Sequence, residues 1–215
     1  MTSNAQPPEP TRVAVFAKAP VAGVVKTRLV PLLGDEGAAN LHAGLVERAL
    51  STALEARLGA VELWCAPDEH HPFFTHCARR FGVRLCRQEG GDLGARMAHA
   101  FQRAFAAGRP MLVIGSDCPA ITAAYLRSAA EALLTHDAVV APAEDGGYVL
   151  VGLARRVPRL FEGIAWGSSG VMAATRARLE ASGVRWKLLP TLWDVDRPED
   201  YVRLQGAGLG LPALS

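Results

Sequence analysis

Short apolar runs alternate with helical stretches along nearly all of this 215-residue chain, and that alternation limits the fold more than any other feature. The runs cover 12–17, 61–66, 83–87, 111–114, 138–142, 148–153 and 186–192. Each is too short for a helix and reads as a strand. Between most of them lies a segment with helical spacing. Over 35–57, Leu41, Leu45, Ala49 and Ala53 share one face, widened by Val46, Leu50 and Leu54, after a turn at 31–34. Further helices are expected at 72–80, at 95–107 with Met97, Phe101 and Phe105 on one side, and after Thr122, which reads as an N-cap. Another follows Ser168 or Ser169, either of which would cap it, and a last one follows Pro198. Ile121, Tyr125, Ala129 and Leu133 should face inward. Strands separated by helices pair in parallel and need cover on both faces. The expected fold is therefore α/β, a single-domain three-layer sandwich with a mostly parallel sheet. The step from 138–142 to 148–153 is too short for a crossover helix, so that pair should be antiparallel.

Half of the residues are hydrophobic, enough for one substantial core. Lys plus Arg (23) nearly balance Asp plus Glu (21), which argues against nucleic-acid binding by bulk charge. Cys65, Cys77, Cys86 and Cys118 show no metal-type spacing and read as buried free thiols of a cytoplasmic protein. No apolar run is long enough to span a bilayer. Residues 1–11 are polar and Pro-rich and read as a disordered tail; 207–215 read as weakly structured, leaving 12–206 as the domain. The four tryptophans read as core, with a homodimer interface left open.

Four loops stand out. The first strand opens into a loop with Pro20, Gly23, Lys18, Lys26, Thr27 and Arg28, a combination suited to phosphate because backbone N–H groups and cations converge there; a solvated β-to-α connection with a few surface lysines would also explain it. QEGGDLG (88–94), GSDCP (115–119) and EDGG (144–147) are the others. All four should lie beyond the carboxyl ends of strands, where open α/β sheets bind ligands. Asp117, directly after the most apolar strand, suits an octahedral divalent ion shared with phosphate oxygens; capping the next helix would also explain it. Asp194 and Asp196, two apart on an extended segment, point to one side. Capping again competes, since Pro198 suits a first helical position and Asp196 could serve that helix end. A turn alone would account for Asp145. The six histidines form no assignable constellation, and His99 reads as surface.

Taken together and in order, FAKAPVAGVVKTRL (16–29), GSDCP (115–119), EDGGY (144–148) with VGL (151–153), and DVDRPED (194–200) resemble the glycosyltransferase-like family related to phospholactate guanylyltransferase. The resemblance spans about 13–201 and implies a GT-A-like fold, shared by nucleotide-diphospho-sugar transferases and nucleotidyltransferases. It implies that Lys18, Lys26, Thr27 and Arg28 meet the nucleotide phosphates and that Gly91, Asp92, Leu93 and Gly94 lie near base and ribose. It further implies Mg²⁺ or Mn²⁺ on Asp117 and Asp196, with Asp194 as a further ligand, and an acceptor pocket bordered by Asp145, Gly146, Gly147 and Tyr148. The first loop lacks the paired-Gly fingerprint of better-known nucleotidyltransferases.

Three functions follow as expectations. The first is metal-dependent glycosyl transfer from a nucleotide sugar to a small-molecule acceptor, with Asp145 as general base. The second is nucleotidyl transfer, in which an acceptor phosphate attacks the α-phosphorus while Lys26 and Arg28 stabilise the departing pyrophosphate. The third is a nucleotide-binding module without catalysis, against which the carboxylates Asp117 and Asp196 argue.

Overall fold

The computed structural model describes residues 10–209. Seven strands are β1 (Arg12–Lys18), β2 (Val61–Ala66), β3 (Arg84–Arg87), β4 (Met111–Gly115), β5 (Ala138–Pro142), β6 (Tyr148–Leu153) and β7 (Trp186–Leu188). They form one sheet in the order β3-β2-β1-β4-β6-β5-β7. Every neighbouring pair is parallel except those made by β6, which runs antiparallel to both β4 and β5. The expected antiparallel pair is thus present, and β6 sits inside the sheet rather than at its edge.

Among the described residues six α-helices flank the sheet: α1 (Val30–Ala56), α2 (Pro72–Phe81), α3 (Leu93–Ala106), α4 (Ala123–Ala132), α5 (Val171–Ala181) and α6 (Pro198–Gly206). The period-2 alternation of β1 divides the core between them. Val13, Val15 and Ala17 pack with α1, α2 and α4 residues such as Leu50, Phe74 and Leu126. Ala14 and Phe16 face the other layer with Trp64, Met97 and Phe101. A third cluster joins Leu41 and Leu45 of α1 to Trp193, Val195 and Leu204. It seats the chain segment that carries Asp194 and Asp196 against α1.

Several local expectations need correction. The turn expected at 31–34 is helical: Pro31 sits in the first turn, where its missing N–H costs nothing, and Gly34 (φ 71°) breaks the helix before it resumes. The α3 helix starts two residues early because Asp92 caps it, its Oδ1 accepting from Ala95 N at 2.7 Å. Neither Ser168 nor Ser169 caps α5; Gly170 holds that position, and Ser168 Oγ accepts from its N–H instead. The last strand is three residues long, with a single further bridge from Ala143 to Leu192. Thr122 does cap α4, and all four cysteines are buried and free. Trp64 and Trp193 are buried, whereas Trp166 and Trp186 are half-buried. Of the expected tails, 1–9 and 210–215 lie outside the described residues, while Thr11 is buried and Leu209 packs against the third cluster. No helix among the described residues is long and apolar enough to cross a membrane.

Candidate active site

A cleft of about 760 Å³ opens at the carboxyl ends of β1, β3 and β4 and at the β5–β6 turn. Lys18, Lys26, Thr27, Arg28, Leu93, Asp117, Asp145, Gly147, Tyr148, Asp194 and Asp196 all line it, so the four loops meet as the strand order requires. Gly91, Asp92, Gly94 and Gly146 do not line it. Asp92 is spent on the α3 cap. Gly94 is packed so closely that a Cβ there would come within 2.7 Å of Trp166 Nε1. Gly146 (φ 90°) lets the β5–β6 turn touch the chain before α5, since a Cβ would fall 2.2 Å from the Ser169 carbonyl oxygen. These glycines shape the wall from behind.

The floor is built on Asp117. Lys26 adopts a left-handed backbone (φ 50°) that turns its side chain inward, where it is 3% exposed. Its ammonium lies 2.8 Å from Asp117 Oδ1 and donates to the Val195 carbonyl at 2.6 Å. Val195 N–H in turn donates to the Asp117 carbonyl at 2.8 Å. One lysine therefore ties together the first loop, the end of β4 and the strand-like segment before α6. His42, from the buried face of α1, reaches the same spot. Its Nε2 lies 3.0 Å from the Lys18 carbonyl, which only accepts, so that nitrogen carries the proton. Its Nδ1 then faces Asp117 Oδ1 at 3.7 Å and has no hydrogen-bond partner. Burial works to raise the Asp117 carboxyl, but the Lys26 ammonium 2.8 Å away outweighs it and holds the group well below the usual carboxylate range. Asp117 keeps 45% of its side-chain surface open to the cleft and caps no helix.

The other carboxylates differ. Burial, reinforced by the charge of Asp145 and then of Asp117, pushes Asp194 up to about 6. Asp196 pairs with the exposed guanidinium of Arg28. It does not cap α6; Asp200 does that work, accepting from Asp196 N at 3.1 Å and Arg197 N at 2.8 Å. Asp145 accepts from Gly147 N at 2.8 Å, the local turn bond that its sequence context suggested, while still facing the cleft. Tyr148 meets Trp166 edge-on at 6.3 Å, and burial raises its phenol well above the usual range, leaving it neutral. Among the described residues no three His, Cys, Asp or Glu side chains form a ready-made metal cage.

The sequence reading gave no site role to His42, Arg96, Trp166 and Ser168, and named Gln88 and Ser116 only as part of their loops; all six line the cleft. A histidine within the apolar stripe of α1 was the available signal for His42. Gln88 is buried, both amide hydrogens donating to the carbonyls of Ala17 (3.2 Å) and Trp64 (2.8 Å); its place before two glycines was the only hint. His99 is half-buried against Trp64 rather than on the surface, and lies away from the cleft.

Comparison with known proteins places this arrangement. Residues 49–168 match the family described as uncharacterized proteins conserved in bacteria, DUF2064. The chain belongs to this family. Two relatives of this DUF2064 member, both named phosphoenolpyruvate guanylyltransferase, align across nearly their whole lengths. One, from Chloroflexus aurantiacus, is 30% identical over 84% of this chain and 89% of its own. The other, from Rubrobacter xylanophilus, is 31% identical over 91% of this chain and 96% of its own. A solved structure from Desulfovibrio desulfuricans G20, described as a nucleotide-diphospho-sugar transferase, superposes with a TM-score of 0.79 at 30% identity, covering 87% of this chain and 82% of that one. A nucleotidyl transferase from Methanothermobacter shares the fold at a TM-score of 0.63 and 19% identity. The resemblance drawn from the motifs thus holds: this DUF2064 member is a transferase with a GT-A-like fold. Between the two transfer chemistries, the relatives favour nucleotidyl over the glycosyl transfer that led the expectations.

Proposed function

We propose that the protein moves a nucleoside monophosphate, GMP in the first instance, from its triphosphate to the phosphate of a small phosphorylated carboxylic acid such as phosphoenolpyruvate. The observation that carries this reading is the near full-length similarity to two phosphoenolpyruvate guanylyltransferases. The cleft agrees with it chemically. Lys18, Arg28 and Arg96 line it as cations for phosphate groups. An acceptor phosphate oxygen attacks the α-phosphorus, a phosphoanhydride forms, and pyrophosphate leaves toward Arg28. Lys26 serves from below, as the fixed counter-ion of Asp117, rather than as a mobile grip.

The donor set suits a hard divalent cation. Asp194 is buried and crowded by Asp145 and Asp117, and a cation among them would relieve the repulsion that adds to burial in raising its carboxyl. Asp117 and Asp194 would hold Mg²⁺ or Mn²⁺, with Asp196 joining once it leaves Arg28. The metal would offset charge on the departing pyrophosphate. The β5–β6 turn (Asp145, Gly147, Tyr148), with Trp166 and Ser168, would border the acceptor, and Leu93 with Gln88 would lie by the base.

The test is to incubate the protein with GTP, phosphoenolpyruvate and Mg²⁺, measuring pyrophosphate release and the new phosphoanhydride by ³¹P NMR, with ATP, CTP and UTP in parallel. Pyrophosphate formed only with the acceptor present supports the reading. No pyrophosphate from any triphosphate, with nucleoside diphosphate released from a nucleotide sugar instead, would return the assignment to glycosyl transfer.

A further inference from the structure

The cleft carries charges of both signs. Lys18, Lys26, Arg28 and Arg96 line it together with Asp117, Asp145, Asp194 and Asp196. Two of those carboxylates already have cationic partners, Asp117 in Lys26 and Asp196 in Arg28. The two pairs are not equivalent. Lys26 is buried and also held by the Val195 carbonyl, so it stays where it is. Arg28 and Asp196 are 63% and 42% exposed, and the Arg28 guanidinium has no other hydrogen-bond partner among the described residues. Asp196 is presented by a backbone fixed on both sides, by the bonds of Val195 to Asp117 and by Asp200.

We infer that Asp196 is a positioning residue that acts as the built-in counter-anion of Arg28, and that nucleotide phosphates displace it. This rests on the nucleotidyl-transfer reading above. In the ligand-free protein Asp196 holds the guanidinium over the cleft and lowers its availability to phosphate. A triphosphate arriving without a metal must separate the pair and leave Asp196 uncompensated beside other carboxylates. A divalent cation arriving without a nucleotide finds Asp117 and Asp196 already paired with Lys26 and Arg28. When both arrive, phosphate takes Arg28 and the cation takes the freed carboxylate, so neither member of the pair is left without a partner. Nucleotide and metal therefore bind as a pair, each strengthening the other by about tenfold, within the usual range of coupling between sites.

The experiment is calorimetric titration of GTP into the protein, in EDTA and in Mg²⁺, for wild type, Asp196→Asn, Asp145→Asn and the double variant Arg28→Gln/Asp196→Asn, each shown to be folded by circular dichroism. Asp196→Asn should bind metal-free GTP about fivefold or more tightly than wild type, because Arg28 is released. Asp145→Asn removes the same charge from the same cleft without freeing a cation and should not show that gain, and the double variant should lose it. If Asp196→Asn binds metal-free GTP no better than wild type, or Asp145→Asn gains as much, the inference is overturned while the function stands. If wild type fails to bind GTP even with Mg²⁺, the guanylyl-transfer reading falls and takes the inference with it.

Discussion

Lys26 and Asp194 show how far a residue's meaning depends on its neighbours. In the sequence Lys26 is one of three cations in a loop suited to phosphate. In the molecule it is a buried brace whose partners, Asp117 and Val195, lie far along the chain, the latter 169 residues away. Replacing it with Met strips Asp117 of its counter-ion and leaves the Val195 carbonyl without its donor. Breaking a buried pair costs about 3–5 kcal/mol, and the part-open Asp117 reduces this to about 2 kcal/mol. Chemical denaturation of Lys26→Met should show that loss. Asp194 acts in the opposite direction. Its carboxyl lies above its ordinary value in the folded state, so the native protein holds that proton more tightly than the unfolded chain. Stability is therefore undiminished below about pH 4 and falls as the pH rises to about 6. Asp194→Asn should be more stable than wild type above pH 6, by about 1 kcal/mol once solvent screening is allowed for, and the difference should vanish in acid. Melting temperatures of the two proteins across pH 4–8 would check it.

The regular elements were largely legible, and the departures have local causes. Strand runs such as 61–66 and 138–142 fall where the apolar pattern puts them, because buried strands leave an uninterrupted hydrophobic trace. Helix starts were read less well. Asp92 took the α3 cap that the glycines around it obscured, and Gly170 took the α5 position assigned to Ser168 or Ser169. The setting of the latter is tertiary: a Cβ on Gly146 would fall 2.2 Å from the Ser169 carbonyl oxygen, and Met172 N–H donates to the Gly146 carbonyl at 2.9 Å, so the β5–β6 turn packs directly on the chain that enters α5. Gly146→Ala would force these segments apart and strain a left-handed position, costing about 1–3 kcal/mol. Because the shifted segment carries Ser168, the same variant should raise KM for the acceptor more than for the nucleotide; steady-state kinetics with each substrate varied would show this. In the core, Leu50→Ala on α1 removes a fully buried side chain and should cost about 2–5 kcal/mol by denaturant titration, without changing nucleotide affinity.

At the scale of the whole molecule, the sheet gathers four loops into one cleft together with the segments that enter α5 and α6, so ligand binding should stabilise the entire domain. A ligand at a hundred times its dissociation constant adds about 2.7 kcal/mol to native stability. For a chain of this size that corresponds to a rise of about 5–10 °C in Tm. Mg²⁺ with GTP should produce such a shift in a thermal melt, and EDTA should remove most of it. The same shift with GTP in EDTA would contradict the pairing of metal and nucleotide argued above.

What the sequence by itself determined is the set of parts: alternating strands and helices, the antiparallel step at 138–153, and four loops whose common edge follows from strand polarity alone. Those features are local, or follow from rules of chain direction, and so leave a mark in periodicity and spacing. What only the tertiary structure decided is the pairing within the cleft. That Lys26 serves Asp117, that Arg28 meets Asp196, that His42 comes to the site from α1 and that Asp194 is held above its ordinary carboxylate value all depend on contacts between distant segments. Charge pairing and burial act through space over a few ångströms, and no pattern along a single chain records which residues will be that close.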